Sequence, residues 1–355
     1  MKNLYLTAFL ALLLSSCSKE TGFDVSESGE VVKFTSSISG VDDGIQTRAE
    51  GDLTHFPELE EGNGNYIIIY MDIDGGDAGT KCTMGSTSDG GLFLRDNAVY
   101  HFPENGGSVS FYSVWPNETD PFGSTGAVYP TKNKLYQLAA NADREYIQTG
   151  KNKDLSTNDV MIAVNSSVTT NPVELKYCHL MSNISVALKK GLGEWGSDEL
   201  EKAIVRVHVP RAKLEVNYQN LKTWVTGKDL SIVTDWSGFL KLGGWSDANY
   251  IFKIDTYVCN EFGNYGEYAR AFVGSMYKIT ASNQQYAYIE ILRNSEDQNP
   301  LKVNIPVGTD FQPNKRYIFD ITVNKGTSTR SNEIVSYYIG SSKMIIKDYS
   351  TGESD

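Results

Sequence analysis

Hydrophobic and polar residues alternate in many short runs along the chain, and turn-forming residues separate one run from the next. Alternation with a period of two predicts β-strands that bury one face, and the short spacing favours antiparallel sheets over alternating strands and helices. A helix start is plausible at Ser197–Lys202, for at most about a turn or two. We therefore expect an all-β fold of antiparallel β-sandwiches. The predicted strands are Tyr66–Met71, Gly91–Leu94, Asn97–Phe102, Ser108–Trp115, Val160–Val164, Val173–Lys189, Ala203–Val209, Lys213–Tyr218, Leu230–Val233, Tyr250–Val258, Tyr286–Leu292, Leu301–Ile305, Arg316–Asn324 and Lys343–Tyr349.

One further strand is predicted near the N-terminus. Its apolar positions Val32, Phe34 and Ile38 fall on one face, with polar residues on the other. A loop rich in glycine and aspartate, residues 40–44, follows this strand and leads to Thr47-Arg48-Ala49. The pattern indicates a single isolated strand ahead of the main run of strands.

The first residues are typical of an export signal. Lys2 precedes an apolar run from Leu4 to Leu14, which is too short to cross a bilayer as a mature helix, and Ser15-Ser16-Cys17 follows it. A cysteine after small residues at this point resembles the bacterial lipobox, so we expect Cys17 to become an acylated N-terminus that is held in the outer membrane by its lipid. An ordinary signal peptide with an incidental cysteine is the alternative.

The chain of 355 residues is long enough for two domains, each with its own core. The polar stretch Asn165–Pro172 interrupts the hydrophobic pattern and is the predicted boundary. We expect a signal peptide at 1–17, an N-terminal extension at 18–50, one sandwich at 51–168 and a second at 169–355.

The charge balance and the cysteines exclude two classes of protein. A net charge of −12 and a pI near 4.9 argue against a nucleic-acid partner, because phosphate binding needs a concentrated basic face. Apart from Cys17, the chain has Cys82, Cys178 and Cys259, an odd number at wide spacing that does not indicate a disulfide framework. Buried thiols are the favoured interpretation, and a single bridge remains an alternative.

Several motifs taken in order carry a family resemblance. They are Thr47-Arg48-Ala49, Tyr100–Pro103, Val109–Pro116, Asp159–Ala163, Val173–Val186, Phe311–Ile321 and Ile346–Tyr349. Together with the lipobox, they resemble the fimbrillin family of Bacteroidota pilins, in particular its minor-fimbrium-like branch. The resemblance implies two stacked sandwiches of transthyretin-like topology. The chain departs from the family pattern at Asn314, where glycine is usual, and at Tyr349, where tryptophan is usual.

The resemblance also implies assembly with other fimbrial subunits by donor-strand exchange. In that scheme an Arg-specific protease cuts between Arg48 and Ala49, the first strand leaves, and its Val32, Phe34 and Ile38 no longer fill a hydrophobic groove. A strand from the next subunit then gains both ladder hydrogen bonds and apolar burial there. The alternative for Arg48 is a solvated loop arginine that no protease cuts.

The C-terminal run Glu333–Tyr349 is long and apolar enough to be the donor strand or the last strand of the sheet. Its candidate donor residues are Ile334, Val335, Tyr337, Ile339, Met344 and Ile346. With the lipid anchor, this predicts a protein exposed on the outer membrane as part of a fimbrium.

No residue pattern indicates catalysis. The histidines His55, His101, His179 and His208 lie in separate segments without metal-ligand spacing, and Asp72–Asp77 fails the calcium-loop pattern at its glycine and its last acid. Phosphate loops and nucleophile motifs are missing from the sequence. We expect no enzyme activity, no cofactor and no metal.

A surface carbohydrate-binding lipoprotein of a polysaccharide-uptake system is the alternative function. Such proteins also place β-sandwiches behind a lipobox, and they need exposed aromatic platforms. The candidate platforms are Trp115, Trp195, Trp224, Trp236 and Trp245, although aromatic residues more often fill a sandwich core.

Overall fold

The computed structural model describes residues 29–38, 59, 67–73, 80–87, 91–115, 135–138, 145–148, 161–217, 235–237, 240–326 and 336–348. The regular elements in these ranges are strands, apart from two short 3₁₀ turns, which confirms the all-β fold. The strands are β1 (Phe34–Ile38), β2 (Ile67–Ile73), β3 (Thr80–Ser86), β4 (Gly91–Leu94), β5 (Val109–Trp115), β6 (Leu135–Leu138), β7 (Glu145–Gln148), β8 (Met161–Val168), β9 (Val173–His179), β10 (Ser182–Lys190), β11 (Ile204–Asn217), β12 (Leu240–Ile254), β13 (Val258–Cys259), β14 (Ala269–Val273), β15 (Tyr277–Lys278), β16 (Tyr288–Leu292), β17 (Leu301–Asn304), β18 (Asp310–Phe311), β19 (Lys315–Lys325) and β20 (Tyr337–Asp348).

The first unit is a closed barrel with the strand order β1-β4-β3-β2-β5-β8-β9. Its core contains the inward side chains of these strands, among them Ile67, Ile69 and Phe111, together with Tyr100 and Phe102 from the segment before β5. The sheet closes because β1 pairs with both β4 and β9. The first of the two expected sandwiches is thus a closed barrel, which the short strand β1 completes. Its transthyretin-like connectivity remains a prediction.

The second unit consists of two large sheets around the largest core. One sheet has the order β13-β10-β19-β20 with β14 beside β10, and the other has the order β17-β16-β11-β12-β7 with β6 beside β11. Side chains from both sheets, such as Ile184, Phe319, Val207 and Phe252, interdigitate between them. This is a sandwich in the usual sense, with alternate residues of each strand facing inward.

The predicted boundary at Asn165–Pro172 falls on the connection between β8 and β9, which pair in the same barrel. The chain passes to the second unit after His179, where β10 begins to pair with β14 and β19. The short strands β6 and β7 pair with β11 and β12 of the second unit, although they precede β8 in sequence. A polar turn inside a hairpin has the same composition as a linker, so sequence alone does not separate the two.

Several predicted strands differ from the observed ones. The predicted strand Val173–Lys189 is divided into β9 and β10. The predicted strand Asn97–Phe102 lies outside any named strand, since Asn97 is in a turn with a φ of 56° and only one isolated bridge, between Val31 and His101, ties the segment to the N-terminal residues. Ala203–Val209 and Lys213–Tyr218 are joined in the single strand β11, whose pairing is irregular after Pro210. The segment Ser197–Lys202 is a series of turns, and Leu230–Val233 lies outside the described residues.

The two units share an apolar junction. Tyr112, Ile162 and Cys178 point out of the barrel and belong to the core of the second unit. The Asn314 N–H donates to the His179 carbonyl at 3.0 Å, close to the point where the chain crosses between the units. In the described part of the chain, no helix is long and apolar enough to cross a membrane.

Candidate functional site

The strand β1 has hydrogen-bonded neighbours on both sides. It runs parallel to β9, with Phe34 opposite Val173 and Ile38 opposite Tyr177. Its other side is antiparallel to β4, where Phe34 lies opposite Leu92. Just before β1, the Val32 N–H donates to the Tyr100 carbonyl at 2.9 Å. The segment 30–38 therefore fills a slot between β9 on one side and β4 with residues 100–102 on the other.

The inward face of this segment is apolar and buried. Val32, Phe34 and Ile38 expose only 5 to 6% of their surface. The Phe34 ring meets Phe111 edge-on at a centroid distance of 5.0 Å and Tyr100 at 6.2 Å. Burying each such side chain stabilises the barrel by roughly 1.5–3 kcal/mol. The segment therefore acts as an integral part of the core.

Polar side chains hold the outer face of the segment. The Lys33 N–H donates to Asn171 Oδ1 at 2.7 Å, and Asn171 Nδ2 donates to the Val31 carbonyl at 2.7 Å and to Glu30 Oε1 at 3.0 Å. Ser37 Oγ donates to Glu174 Oε1 at 2.9 Å. Sequence reasoning missed Asn171, because its only signal is its place in the polar turn before Pro172.

Inside the barrel, the Tyr177 hydroxyl and Ser113 Oγ form a hydrogen bond of 2.6 Å. Burial raises the pKa of the Tyr177 phenol well above its ordinary value, although the bond to Ser113 opposes the shift. The phenol therefore stays neutral at physiological pH. Tyr177 lies opposite Ile38 in the parallel ladder, so this hydrogen bond joins β9, the strand that β1 contacts, to Ser113 of β5.

Some of the other predicted site residues lie outside the described part of the chain, and the rest lie in β20. Cys17, Arg48, Ala49, Ile334 and Val335 lie outside the described residues. The remaining donor candidates lie in β20, which is antiparallel to β19 and forms the last strand of its sheet. Tyr337, Ile339 and Met344 of β20 pack against the large core, whereas Ile346 is 51% exposed.

The first residue of β20 is held by a polar cluster that sequence reasoning did not find. The carboxylate of Glu199 accepts hydrogen bonds from Lys325 Nζ at 2.7 Å, from the Gly196 N–H at 2.8 Å and from the Tyr337 hydroxyl. Burial disfavours the charged form of Glu199, but these bonds outweigh it and lower its pKa to about 2. Glu199 is therefore ionised at any physiological pH.

The arrangement of a closed barrel, completed by β1, beside a β-sandwich can be compared with known families. A family model described as fimbrillin-like matches residues 47–337 of the chain. The chain belongs to the fimbrillin-like family. Membership supports the role of a fimbrial subunit at the cell surface, with other fimbrial subunits as partners and a structural rather than catalytic activity.

Two solved structures resemble this fimbrillin-like protein along most of its length. A candidate cell adhesion protein of Bacteroides uniformis is 13% identical, covers 91% of this chain and 99% of its own, and has a TM-score of 0.51. A candidate cell adhesion protein of Bacteroides ovatus is 12% identical, covers 92% and 99%, and has a TM-score of 0.51. At this identity the likeness shows the fold alone. No curated protein matches the chain.

Two of the proposed tryptophan platforms in this fimbrillin-like protein are core residues. Trp115 and Trp236 are each 1% exposed, so neither is a surface platform, and the favoured interpretation of core aromatic residues is confirmed for both. Trp195 is partly buried, and its indole N–H donates to the Gly191 carbonyl. Nothing is described for Trp224 or for the side chain of Trp245.

The cysteines Cys82, Cys178 and Cys259 are all free thiols. Among the residues that the structure describes, no group of three or more histidine, cysteine or acidic side chains could hold a metal ion.

Proposed function

We propose that this chain is a lipid-anchored subunit of a surface fimbrium that joins other subunits by donor-strand exchange after proteolysis at Arg48. The observation that carries the proposal is the position of β1, which bridges β4 and β9 and buries Val32, Phe34 and Ile38 in the barrel core. Other fimbrial subunits and an Arg-specific protease are the partners that this mechanism requires.

Loss of β1 would open the barrel. Removal of the strand would expose an unpaired edge of β9, an unpaired edge of β4 and an apolar slot lined by Phe111 and Tyr100. Such a slot binds an extended peptide well, because ladder hydrogen bonds and apolar burial are gained together. Only apolar residues at alternate positions would match it, which fixes the register of the incoming strand.

Cleavage at Arg48 supplies the trigger. Arg48 follows β1 in the chain, so a cut after it separates β1 from everything that comes later. Once β1 is a separate peptide, its binding becomes bimolecular, and a competing strand at high local concentration displaces it. Lipid on Cys17 would hold the precursor at the outer membrane, where the protease and the partner subunits meet it.

The strand β20 is the candidate donor for a neighbouring subunit. It is the last described strand, it pairs with β19 alone among the described strands, and its residues Tyr337, Ile339, Met344 and Ile346 share one apolar face. Donation would require β20 to leave β19 and to lose the contacts of Tyr337 with Glu199.

The test is limited digestion of the purified precursor with an Arg-specific protease. We expect the first cut after Arg48, detected by mass spectrometry, followed by binding of a synthetic peptide with the sequence of residues 337–348, detected by size-exclusion chromatography. The matched control is Arg48→Lys, which keeps the charge and removes the cleavage site. A first cut at another arginine, or a clean cut at Arg48 without release of β1 or binding of any subunit strand, would contradict the proposal.

A further inference from the structure

A cavity lies at the end of the second unit that points away from the barrel. The strands β10 and β19 run parallel, and both begin beside the point where the chain leaves the barrel, since Asn314 bonds to His179. Both therefore end at the opposite pole, where the turn after Lys190 meets the end of β19 through the bond from the Lys325 N–H to the Leu192 carbonyl. The first residue of β20 lies at the same pole, opposite Lys325.

The cavity has a volume of about 530 Å³ and is open to solvent. Its wall comes from three places: the turns at 196–202, the turn that begins at Arg293, and Tyr337 of β20. Pockets that bind small ligands have volumes of roughly 300–1,000 Å³. The space is therefore large enough for one or two sugar rings, and the further rings of a longer sugar chain can extend into solvent through its open side.

Several bonds fix the wall in place. Arg293 forms a bidentate ion pair with Asp297: its Nε donates to Oδ2 at 2.9 Å and its Nη2 donates to Oδ1 at 2.6 Å. The centroid of the Tyr337 ring lies 5.3 Å from that of Trp195 and 5.8 Å from the Arg293 guanidinium. A wall that is ordered before binding reduces the entropy that a ligand must lose.

The polar groups of this cavity that lack a hydrogen-bond partner within the described part of the chain are donors. Glu199 already accepts three hydrogen bonds, so most of its acceptor capacity is used. In contrast, Lys202 Nζ, Asn294 Nδ2 and the Ser197 hydroxyl have no partner within the described part of the chain, and all three residues line the cavity. A lysine beside an amide and a hydroxyl donor suits a ligand that is anionic and rich in acceptors.

We infer that this cavity binds a carboxylate-bearing sugar, with the carboxylate on Lys202 and the ring hydroxyls on Asn294 and Ser197. A peptide gains most of its affinity from ladder bonds with a strand edge, whereas the free donors here are side chains on turns. The site lies at the pole opposite the barrel and its N-terminal strand. It is therefore remote from β1, but Tyr337 of its wall belongs to β20, so the cavity is complete only while β20 stays paired with β19.

The test is a calorimetric titration of the full chain with trigalacturonate, a neutral trisaccharide, and a short peptide with a free carboxylate. We expect binding of trigalacturonate alone. Lys202→Gln is expected to weaken that binding at least about tenfold, because a charge-assisted hydrogen bond is lost. The matched control is Lys278→Gln, which makes the same charge change at an exposed residue outside the cavity.

Three results would overturn the inference. They are equal binding of the neutral sugar or the peptide, an equal loss in Lys202→Gln and Lys278→Gln, and no binding of trigalacturonate to the wild-type chain. A second variant, Asn294→Ala, keeps the charge and separates a specific site from general attraction, since it should also weaken binding. Each variant is checked for an unchanged melting temperature. The titrations use the intact chain, in which β20 is paired with β19, so their failure would leave the proposed fimbrial role untouched.

Discussion

At the scale of single residues, the buried His208 links the stability of the second unit to pH. Its Nδ1 lies 2.7 Å from Asn249 Nδ2, its Nε2 lies 3.3 Å from Glu290 Oε2, and its ring stacks on Tyr288 at 4.1 Å. Burial lowers the pKa of His208 from its ordinary value of 6.5, and the nearby Lys302 and Arg206 add to this effect. The attraction of Glu290 opposes it without cancelling it.

We therefore predict that acidification destabilises the protein through His208. The unfolded chain takes up a proton near pH 6.5 while the folded chain resists it, so stability is full above that pH and is lost as the pH falls below it. The free energy of unfolding, measured in urea at pH 7.5 and 5.5, should fall more in the wild type than in His208→Gln. An equal fall in both proteins would show that other groups carry the pH dependence.

The pKa of Glu199 gives a second residue-scale prediction with a separate pH window. Its pKa of about 2 means that its contribution is complete above the ordinary value of 4.5 and is lost as the pH falls from there towards 2. Glu199→Gln should cost about 1 kcal/mol at pH 7, since the group is partly exposed. Urea unfolding at pH 7 and pH 3 should show the gap between variant and wild type closing at the lower pH. A gap of constant size would contradict the ionic role of Glu199.

At the scale of elements, β1 should hold the barrel closed mainly through Phe34. Phe34→Ala removes the edge-on contacts with Phe111 and Tyr100 and should cost about 3–5 kcal/mol. Thr35→Ala, on the exposed face of the same strand, should change stability by less than about 0.5 kcal/mol. Hydrogen exchange of β4 and β9 amides should rise in the Phe34 variant only. Comparable exchange in the two variants would mean that β1 contributes little to closure.

The pairing of β20 with β19 rests on a close approach of glycine to a buried amide. A side chain at Gly340 would come within 2.6 Å of Asn324 Nδ2, and Asn324 Oδ1 accepts the Leu192 N–H at 2.8 Å. Gly340→Ala should therefore cost about 1–3 kcal/mol in urea unfolding. Gly274→Ala, where open space surrounds the added methyl group, is the control and should be close to neutral. Equal free energies of unfolding for Gly340→Ala and Gly274→Ala would contradict this prediction.

These elements show what sequence patterns can and cannot predict. Alternation placed Phe34 on an apolar face, because the side-chain period of a strand is local information. The same pattern cannot name the partner strand, so the parallel pairing of β1 with β9 and the assignment of β6 to β11 were beyond it. For Trp236 the sequence left a surface platform and a core position both open, because burial of an aromatic residue depends on the packing of both sheets.

At the scale of the whole molecule, the junction between the two units decides how they unfold. Tyr112, Ile162 and Cys178 belong to barrel strands but lie in the core of the second unit. The Ser275 hydroxyl donates to the Leu180 carbonyl at 2.7 Å within the same junction. The boundary was predicted at Asn165–Pro172 because that turn is polar. The contact between the two units is apolar, so the composition of the sequence gives no signal for it.

The junction predicts a single cooperative unfolding transition, with the thiol of Cys178 as its reporter. Cys178 is fully buried at the junction, whereas Cys259 is partly exposed, so a thiol reagent should modify Cys259 before Cys178. Ile162→Ala should cost about 2–5 kcal/mol and speed the labelling of Cys178 selectively, because it loosens the packing around that thiol. Peptide mass spectrometry after timed labelling measures both rates.

Val303→Ala is the control for this experiment, because it removes apolar volume from the same core on the short strand β17. At a matched loss of stability it should leave the labelling of Cys178 slower than Ile162→Ala does. Two separate unfolding transitions, or equal labelling of Cys178 and Cys259 in the wild type, would show that the units are independent. Coupled units would transmit tension from a strand in the barrel slot to the second unit, which is the mechanical property that a fimbrial subunit needs.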